Sequence, residues 1–149
     1  MPQLIISHQP QLKASDCLVA CAAMALKHLD VRFRYNRLTK RLHTRQSGTA
    51  FRNLRYLSEL NLIVKIKYGD MQTLFELIDN GIPVIARVQT EPLSYWSLGT
   101  DHAIVVVGYD DKSIWVNDPY FEDAPKRVTQ TEFELAWLDG EYLYATIER

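Results

Sequence analysis

The chain has 149 residues, the size of one domain, and its 47% hydrophobic and 23% charged residues are ordinary for a soluble globular protein. No apolar run approaches membrane-spanning length, and Leu4-Ile5-Ile6 is far too short for the core of a signal peptide. Cys17 and Cys21 fall one helical turn apart, where a disulfide would be strained, so we expect a reducing, cytoplasmic setting.

The net charge is −1, but the cations are concentrated in the first half of the chain. Between positions 27 and 67, eleven Lys and Arg residues are opposed only by Asp30 and Glu59. Such a segment can bind nucleic acid or an acidic peptide, or it can form solvated helices whose charge the acidic second half offsets. We favour the solvated helices and expect no nucleic-acid partner, because the only alternation of cations with aromatic residues is the short connector Arg32-Phe33-Arg34-Tyr35, whereas a single-strand platform requires such an alternation along the basic segment.

Helical patterns dominate the first part of the chain. Ser15 and Asp16 are residues whose side chains cap helices, and the apolar residues that follow them recur at helical spacing. Cys17 is therefore predicted to lie in the first turn of a helix. The apolar run of this helix extends from 18 to 29, and the same reasoning predicts helices at 36–43, 51–61 and 70–80.

Strand patterns dominate the second part. Alternating or continuous apolar runs predict strands at 62–68, 83–89, 102–109, 113–117, 126–128 and 141–147, with a short helix at 131–137. The segment 90–101 has no clear period, and a loop of that length inside a compact domain is more often functional than accidental. Helices first and hairpin strands later indicate an α+β fold, with N-terminal helices packed on a C-terminal antiparallel sheet in one domain, 1–149.

Cys17 is a candidate nucleophile because the dipole of a first helical turn favours a thiolate. Gln11 precedes it by six residues, and its side-chain amide is a donor that could reach the same point. A thiolate and a neighbouring donor are two of the parts that acyl transfer through a thioester requires. For a lone cysteine, however, a buried helix thiol beside a surface loop would be the better interpretation.

His102 and Asp118 supply the remaining parts. His102 opens one predicted hairpin strand and Asp118 closes the next. A turn centred on Asp110 pairs them directly, whereas a turn centred half a residue later pairs His102 with Pro119. A carboxylate that orients one ring nitrogen leaves the other nitrogen free to take the thiol proton.

Together these motifs resemble the papain-like cysteine peptidases of the C39 type, the bacteriocin-processing or double-glycine-leader peptidases. The resemblance rests on Gln11-x5-Cys17 and on the segments 83–86, 101–109, 117–119 and 131–137. It implies that Cys17 is the nucleophile, His102 the general base and later acid, and Asp118 the residue that orients His102. It also implies that the Gln11 amide and the backbone N–H of Cys17 form the oxyanion hole.

The resemblance further implies a peptide or protein substrate and no cofactor. Leu18 stands where the family usually has glycine, and a leucine there could narrow the cleft or change which substrate residue fits beside the scissile bond. The chain contains no glycine-rich phosphate-binding loop, so a stand-alone peptidase is expected. The oligomeric state is not indicated by any pattern in the sequence.

Two other functions use the same residues. A deamidase or a transglutaminase-type acyltransferase would need the same triad, and a non-catalytic peptide-binding module would need only the fold. We favour the peptidase, because every catalytic role is filled. Cys21 is interpreted as a core thiol, and Tyr95 and Trp96 either line the cleft or cover the core. No metal site is expected, because Cys17, Cys21 and His28 match no common zinc spacing.

Overall fold

The computed structural model describes residues 3–149 and contains a six-stranded sheet with helices on both faces. The helices are α1 (Cys17–His28), α2 (Tyr35–Arg41), a 3₁₀ helix (Phe51–Leu60), α3 (Met71–Asp79) and α4 (Gln130–Leu138). The strands are β1 (Ile63–Tyr68), β2 (Val84–Gln89), β3 (Asp101–Tyr109), β4 (Ser113–Asn117), β5 (Lys126–Thr129) and β6 (Leu143–Glu148). The predicted α+β fold is confirmed.

The strands lie in the order β1-β6-β2-β3-β4-β5, and neighbouring strands are antiparallel. From β2 to β5, strands that follow one another in the chain are also neighbours in the sheet. The exception is β6, which is last in the chain but lies between β1 and β2. The C-terminal strand β6 therefore joins β1 to the rest of the sheet, although β1 and β6 are far apart in sequence.

Each face of the sheet carries its own hydrophobic core. α1, α2 and the 3₁₀ helix cover one face, on which Ile85 and Val105 point toward α1. α3 and α4 cover the other face, on which Phe133 and Trp137 are fully buried. Almost all of α1 is buried, as expected for a helix that is apolar on all sides. The predicted packing of N-terminal helices on the sheet is thus confirmed for one face. The helices α3 and α4, which come later in the chain, form a layer on the opposite face.

The start of α1 differs from the prediction. Asp16 precedes the helix, but its side chain makes no capping bond to the first turn. Its Oδ2 instead accepts hydrogen bonds from the backbone N–H of Lys13 at 3.1 Å and from the Tyr35 hydroxyl at 3.2 Å. The predicted side-chain cap is wrong, because the carboxylate is used to hold the preceding loop.

The segment from Phe51 to Leu60 forms a 3₁₀ helix over its whole length. A 3₁₀ helix has three residues per turn, so that side chains at every third position lie in line. Phe51, Leu54, Leu57 and Leu60 are spaced in this way, and Leu54 and Leu57 are fully buried. The apolar spacing of this segment fits a period of three better than the α-helical period.

No helix within residues 3–149 combines the length and the apolar character needed to cross a membrane.

Candidate active site

Cys17 is the first residue of α1 and is half-buried at the edge of a cleft of about 720 Å³. The cleft lies on the α1 face of the sheet, where β1, β6, β2 and β3 end. Its walls are the start of α1, the loop 47–52 and the first residues of β3.

His102 is the second residue of β3, and its ring is almost completely buried, with 6% of the residue exposed. Its Nε2 lies 2.7 Å from Oδ1 of Asp118, which follows the last residue of β4. With Nε2 engaged by the carboxylate, Nδ1 is the ring nitrogen left for the thiol. The predicted contact between the two side chains is confirmed.

The strand register that produces this contact is not the predicted one. Val105 pairs with Asn117, and the same register continued along β3 places His102 opposite position 120. Direct pairing of His102 with Asp118 or Pro119 is therefore wrong, since an irregularity near the turn shifts the two strands. The contact is made diagonally across the strands, a distance that an imidazole and a carboxylate together can span.

The charge state of His102 is controlled by its two neighbours. Burial disfavours the imidazolium and by itself lowers the pKa, but the hydrogen bond and charge of Asp118, together with the neighbouring Cys17 side chain, raise the pKa of His102 to about 9. The structure thus brings Cys17, His102 and Asp118 together. At neutral pH the ring is protonated and stands between two groups that favour its positive charge.

Asp118 is 0% exposed and accepts hydrogen bonds from four donors. Oδ1 accepts from His102 and from the backbone N–H of Tyr120 at 3.0 Å, while Oδ2 accepts from the Tyr95 hydroxyl and from Trp96 Nε1, both at 2.8 Å. Burial raises the pKa of this carboxyl, yet the bond and charge of His102 and the Trp96 and Tyr120 donors outweigh it and lower the pKa overall. Asp118 is therefore ionised and fixed in orientation.

Tyr95 and Trp96 are the functional residues whose role the sequence did not resolve. They form an aromatic cluster with Tyr120 and Phe121 over the buried pair, and the Trp96 ring lies edge-on to His102 with centroids 5.0 Å apart. Burial and the charge of Asp118 raise the pKa of the Tyr95 hydroxyl, so that it remains a donor. The sequence did contain one signal for this role: two large aromatic residues with hydrogen-bonding groups, in a long loop just before the strand that carries His102.

Gln11 is tied to the residue after Asp118 through its backbone, and its side-chain amide is bonded within its own loop. Its backbone N–H donates to the carbonyl of Pro119 at 2.8 Å, which anchors it next to Asp118. Its Nε2 donates to the carbonyls of Lys13 and Ala14 at 3.0 and 3.1 Å. Its Oε1 is buried and has no hydrogen-bond partner within the described residues.

The loop that holds the Gln11 amide is itself held by Asp16. This carboxylate is buried, and its bonds to Lys13 and to Tyr35 connect the loop to α2. Burial and the charge of Asp16 raise the pKa of the Tyr35 hydroxyl, which keeps it protonated as a donor. Asp16 and Tyr35 are thus indirect supports of the loop, which the sequence pattern had not indicated.

The remaining predicted residues are placed as follows. Cys21 is a free thiol at 0% exposure, and burial, with the charges of Cys17 and Asp118, raises its pKa well above the usual value. Its interpretation as a core thiol is confirmed. Leu18 is 2% exposed and packs in the helix-side core, although it also lines the cleft. Within residues 3–149, no group of His, Cys, Asp or Glu side chains is arranged to hold a metal ion.

Comparisons with known proteins identify the family and the fold of the chain. The sequence model of the Peptidase_C39 like family matches residues 3–143. A search of curated proteins gave no match. Solved structures are similar in fold: a C39-like peptidase from Bacillus anthracis has a TM-score of 0.79 at 16% identity, with 97% of this chain and 94% of that chain covered.

Two further structures come from transporters. The peptidase domain of Streptococcus ComA, a bifunctional ABC transporter of a quorum-sensing pathway, has a TM-score of 0.77 at 22% identity, covering 99% of this chain and 98% of that one. A double-glycine-motif protease from an AMS/PCAT transporter, solved with its leader peptide, has a TM-score of 0.78 at 16% identity, covering 98% and 93%. At these identities the likeness is one of fold.

Proposed function

The chain belongs to the Peptidase_C39 like family of cysteine peptidases, and from this premise we propose that it cleaves peptide bonds with Cys17 as nucleophile, His102 as base and acid, and Asp118 as the orienting group. The observation that carries this assignment is the placement of His102. The His102 ring is buried between two groups. One is the ionised carboxylate of Asp118, which accepts four hydrogen bonds, and the other is the Cys17 thiol at the start of α1. Peptide binding alone does not require a histidine held between a carboxylate and a thiol, whereas proton transfer to and from the thiol does.

In the first half of the proposed reaction, Cys17 has lost its proton to Nδ1 of His102. The thiolate sulfur attacks the carbonyl carbon of the substrate, and the electron pair of the C=O bond moves to oxygen. The oxyanion is stabilised by the backbone N–H of Cys17 and by the Gln11 amide, after that amide has turned from the Lys13 and Ala14 carbonyls.

The tetrahedral intermediate collapses when the C–N bond breaks. The imidazolium of His102 gives its proton to the leaving nitrogen, which departs as an amine, and the acyl group remains on sulfur as a thioester. Water then attacks the thioester while His102 takes one of its protons. The carboxylic acid leaves, and the thiolate–imidazolium pair is restored.

We propose a peptide substrate, with processing of a leader peptide as the more specific form of the function. The support for a leader is the AMS/PCAT protease, a structural neighbour solved with its leader peptide. We further propose that residues 1–149 act as one peptidase domain in a reducing, cytoplasmic environment. Support for that environment comes from the two free thiols, one of which is the proposed nucleophile.

The test is a diverse peptide library incubated with the wild-type protein and with Cys17→Ala, with products identified by mass spectrometry. We expect hydrolysed peptides, with a common cleavage motif, only in the wild-type reaction. Products in which a peptide acyl group is joined to an added amine in preference to water would identify an acyltransferase. If the folded wild-type protein gave no product beyond the Cys17→Ala level, the peptidase assignment would be rejected.

A further inference from the structure

The cations in the first half of the chain form almost no direct ion pairs with the acidic second half within residues 3–149. Of the eleven Lys and Arg residues between positions 27 and 67, only Arg41 forms an ion pair within the described structure, and its partner is Glu59 of the same segment. The acidic second half therefore balances the net charge without pairing with these cations individually, and they remain free to attract a ligand.

Several of them surround hollows that continue outward from the active-site cleft. A second hollow of about 540 Å³ shares the loop 47–50 with the cleft, and a third of about 590 Å³ shares Arg45 with the second. The three hollows therefore follow one another along the α1 side of the molecule. Their exposed cations without a carboxylate partner in residues 3–149 are Lys13, Lys40, Arg45 and Arg52, which we call the basic rim.

Arg87, which lines the active-site cleft itself, differs from the cations of the basic rim because it is paired with carboxylates. Its guanidinium lies 3.2 Å from Asp101 and 3.7 Å from Glu141, so its charge is neutralised beside the reacting bond. Any attraction for negative charge thus begins outside the reacting position. It would act on substrate residues that flank the scissile bond.

We propose that the basic rim binds acidic residues of the peptide substrate, so that the enzyme selects peptides with Glu or Asp near the cleaved bond. This inference rests on the proposed peptidase function. An extended peptide advances about 3.3 Å per residue, so a few residues suffice to reach from Cys17 into the neighbouring hollows. Exposed cations attract such a peptide through salt-sensitive forces, which raise its local concentration and its association rate.

A peptide fits this surface better than a nucleic acid does. Stacking platforms for single strands need exposed aromatic faces between the cations. The aromatic rings that line the second and third hollows, Tyr56 and Tyr35, are half-buried and occupied: Tyr56 packs against His43 and Arg55, and Tyr35 bonds to Asp16.

The first test measures binding alone. Cys17→Ala protein would be titrated into a fluorescein-labelled peptide with three Glu residues flanking the cleavage motif, and into a matched peptide with Gln at the same positions. We expect the Glu peptide to bind about tenfold more tightly at 50 mM NaCl and the two Kd values to converge at 500 mM NaCl. Equal affinities at low salt would overturn the proposal.

A pair of double variants locates the effect. In the Cys17→Ala background, Arg45→Gln with Arg52→Gln should abolish the preference for Glu. Arg32→Gln with Lys112→Gln is the matched control, because both residues are exposed, line none of the three hollows and have no side-chain partner within residues 3–149. A preference that survives the first double variant, or that the control removes equally, would contradict a role for the rim.

Two further measurements distinguish failure of the acidic-peptide proposal from failure of the proposed peptidase function. If a labelled single-stranded oligonucleotide bound more tightly than the Glu peptide and required Arg45 and Arg52, the surface would be a nucleic-acid site and the proposal would be wrong. Cleavage is then followed in the wild-type protein. Equal kcat/KM for Glu and Gln peptides would overturn the selection of acidic peptides and leave the peptidase function standing. Preferred binding of the Glu peptide without cleavage would overturn the peptidase function and leave the binding preference standing.

Discussion

The two sides of the cleft hold their functional groups in different ways. On the strand side, His102 and Asp118 are buried, and Asp118 accepts four hydrogen bonds. On the loop side, residues 12–14 are exposed, and the Gln11 amide donates to neighbouring carbonyls with its oxygen unpaired. The strand side is complete in the free protein, and the loop side is not.

This difference indicates how the work of catalysis is divided. The Nε2 of Gln11 is bonded to two loop carbonyls, and its Oε1 has no partner among residues 3–149. Because the Gln11 backbone is anchored to Pro119, only the side chain must turn for the amide to reach the proposed oxyanion. The proposed acid–base pair is therefore organised before substrate binds, and we expect the proposed oxyanion donor to be recruited by the substrate.

The strongest test of the strand side is Asp118→Asn. The amide cannot hold the imidazolium as the carboxylate does, and we expect kcat to fall by up to about 10⁴, the loss seen for the same change in the serine-protease triad. Peptide hydrolysis would be measured alongside circular dichroism. Full activity in a folded variant would exclude the role assigned to Asp118.

The corresponding test of the loop side is Gln11→Ala. Loss of one oxyanion donor should cost about 2.7–4 kcal/mol in the transition state, which lowers kcat by roughly 10²–10³ and leaves KM little changed. Steady-state kinetics with one peptide would separate the two parameters. A rise in KM alone would show that Gln11 binds substrate without stabilising the oxyanion.

Alkylation compares the two cysteines of α1 directly. Limiting iodoacetamide near pH 6 should label Cys17 and leave Cys21 unmodified, because the Cys21 thiol is buried and its pKa is raised. In His102→Ala the labelling of Cys17 should slow at least about tenfold, since the cationic partner is gone. Peptide mapping would locate the label, and equal slow labelling of both thiols would contradict an activated nucleophile.

The donors behind Asp118 can be removed singly. Tyr95→Phe and Trp96→Phe each delete one bond to Oδ2, and a hydrogen bond to a buried charge is worth about 1.5–3 kcal/mol of unfolding free energy. Tyr109→Phe is the matched control, because that hydroxyl bonds to Asp79 at the exposed surface. Denaturant unfolding should show a clear loss for the first two variants and a small one for the control. Similar losses for all three would mean that Tyr95 and Trp96 do not support the triad.

The smallest effect concerns pH. Because the pKa of His102 is raised to about 9, kcat/KM should decline as pH rises through that value, where the imidazolium needed by the leaving group is lost. The same ionisation stabilises the fold, fully below the unfolded pKa near 6.5, and this contribution disappears as pH rises through about 9. A pH–rate profile, with Tyr109→Phe as an unaltered reference, would show the decline. A rate that stays constant to pH 10 would contradict it.

Much of the strand side was predictable from local pattern. The apolar run after Asp101 predicts β3, and a histidine and an aspartate at the open ends of one hairpin stay within contact when the register slips by up to two residues. This explains why the contact was predicted correctly although the register was not. The four donors of Asp118 were not predictable, because Tyr95 and Trp96 reach it from a loop without any periodic signal.

The loop side shows the opposite limit. Cys17 at the start of a helix followed from the sequence, but Asp16 was interpreted as a cap because capping is the usual role of aspartate before a helix. Its partner Tyr35 lies nineteen positions away in another helix, a contact that no local pattern reveals. The orientation of the Gln11 amide likewise depends on the turn of the loop and on which carbonyls it presents.

The position of β6 in the sheet also has a consequence for the order of events during protein synthesis. All four proposed catalytic residues precede position 119, yet β1 finds its strand partner, and the cleft gains Leu143, only when residues 143–148 have been made. A pairing between strands so distant in sequence forms late and slowly. We therefore expect the substrate groove, and with it hydrolytic activity, to be completed only after β6 has been synthesised and has paired with β1.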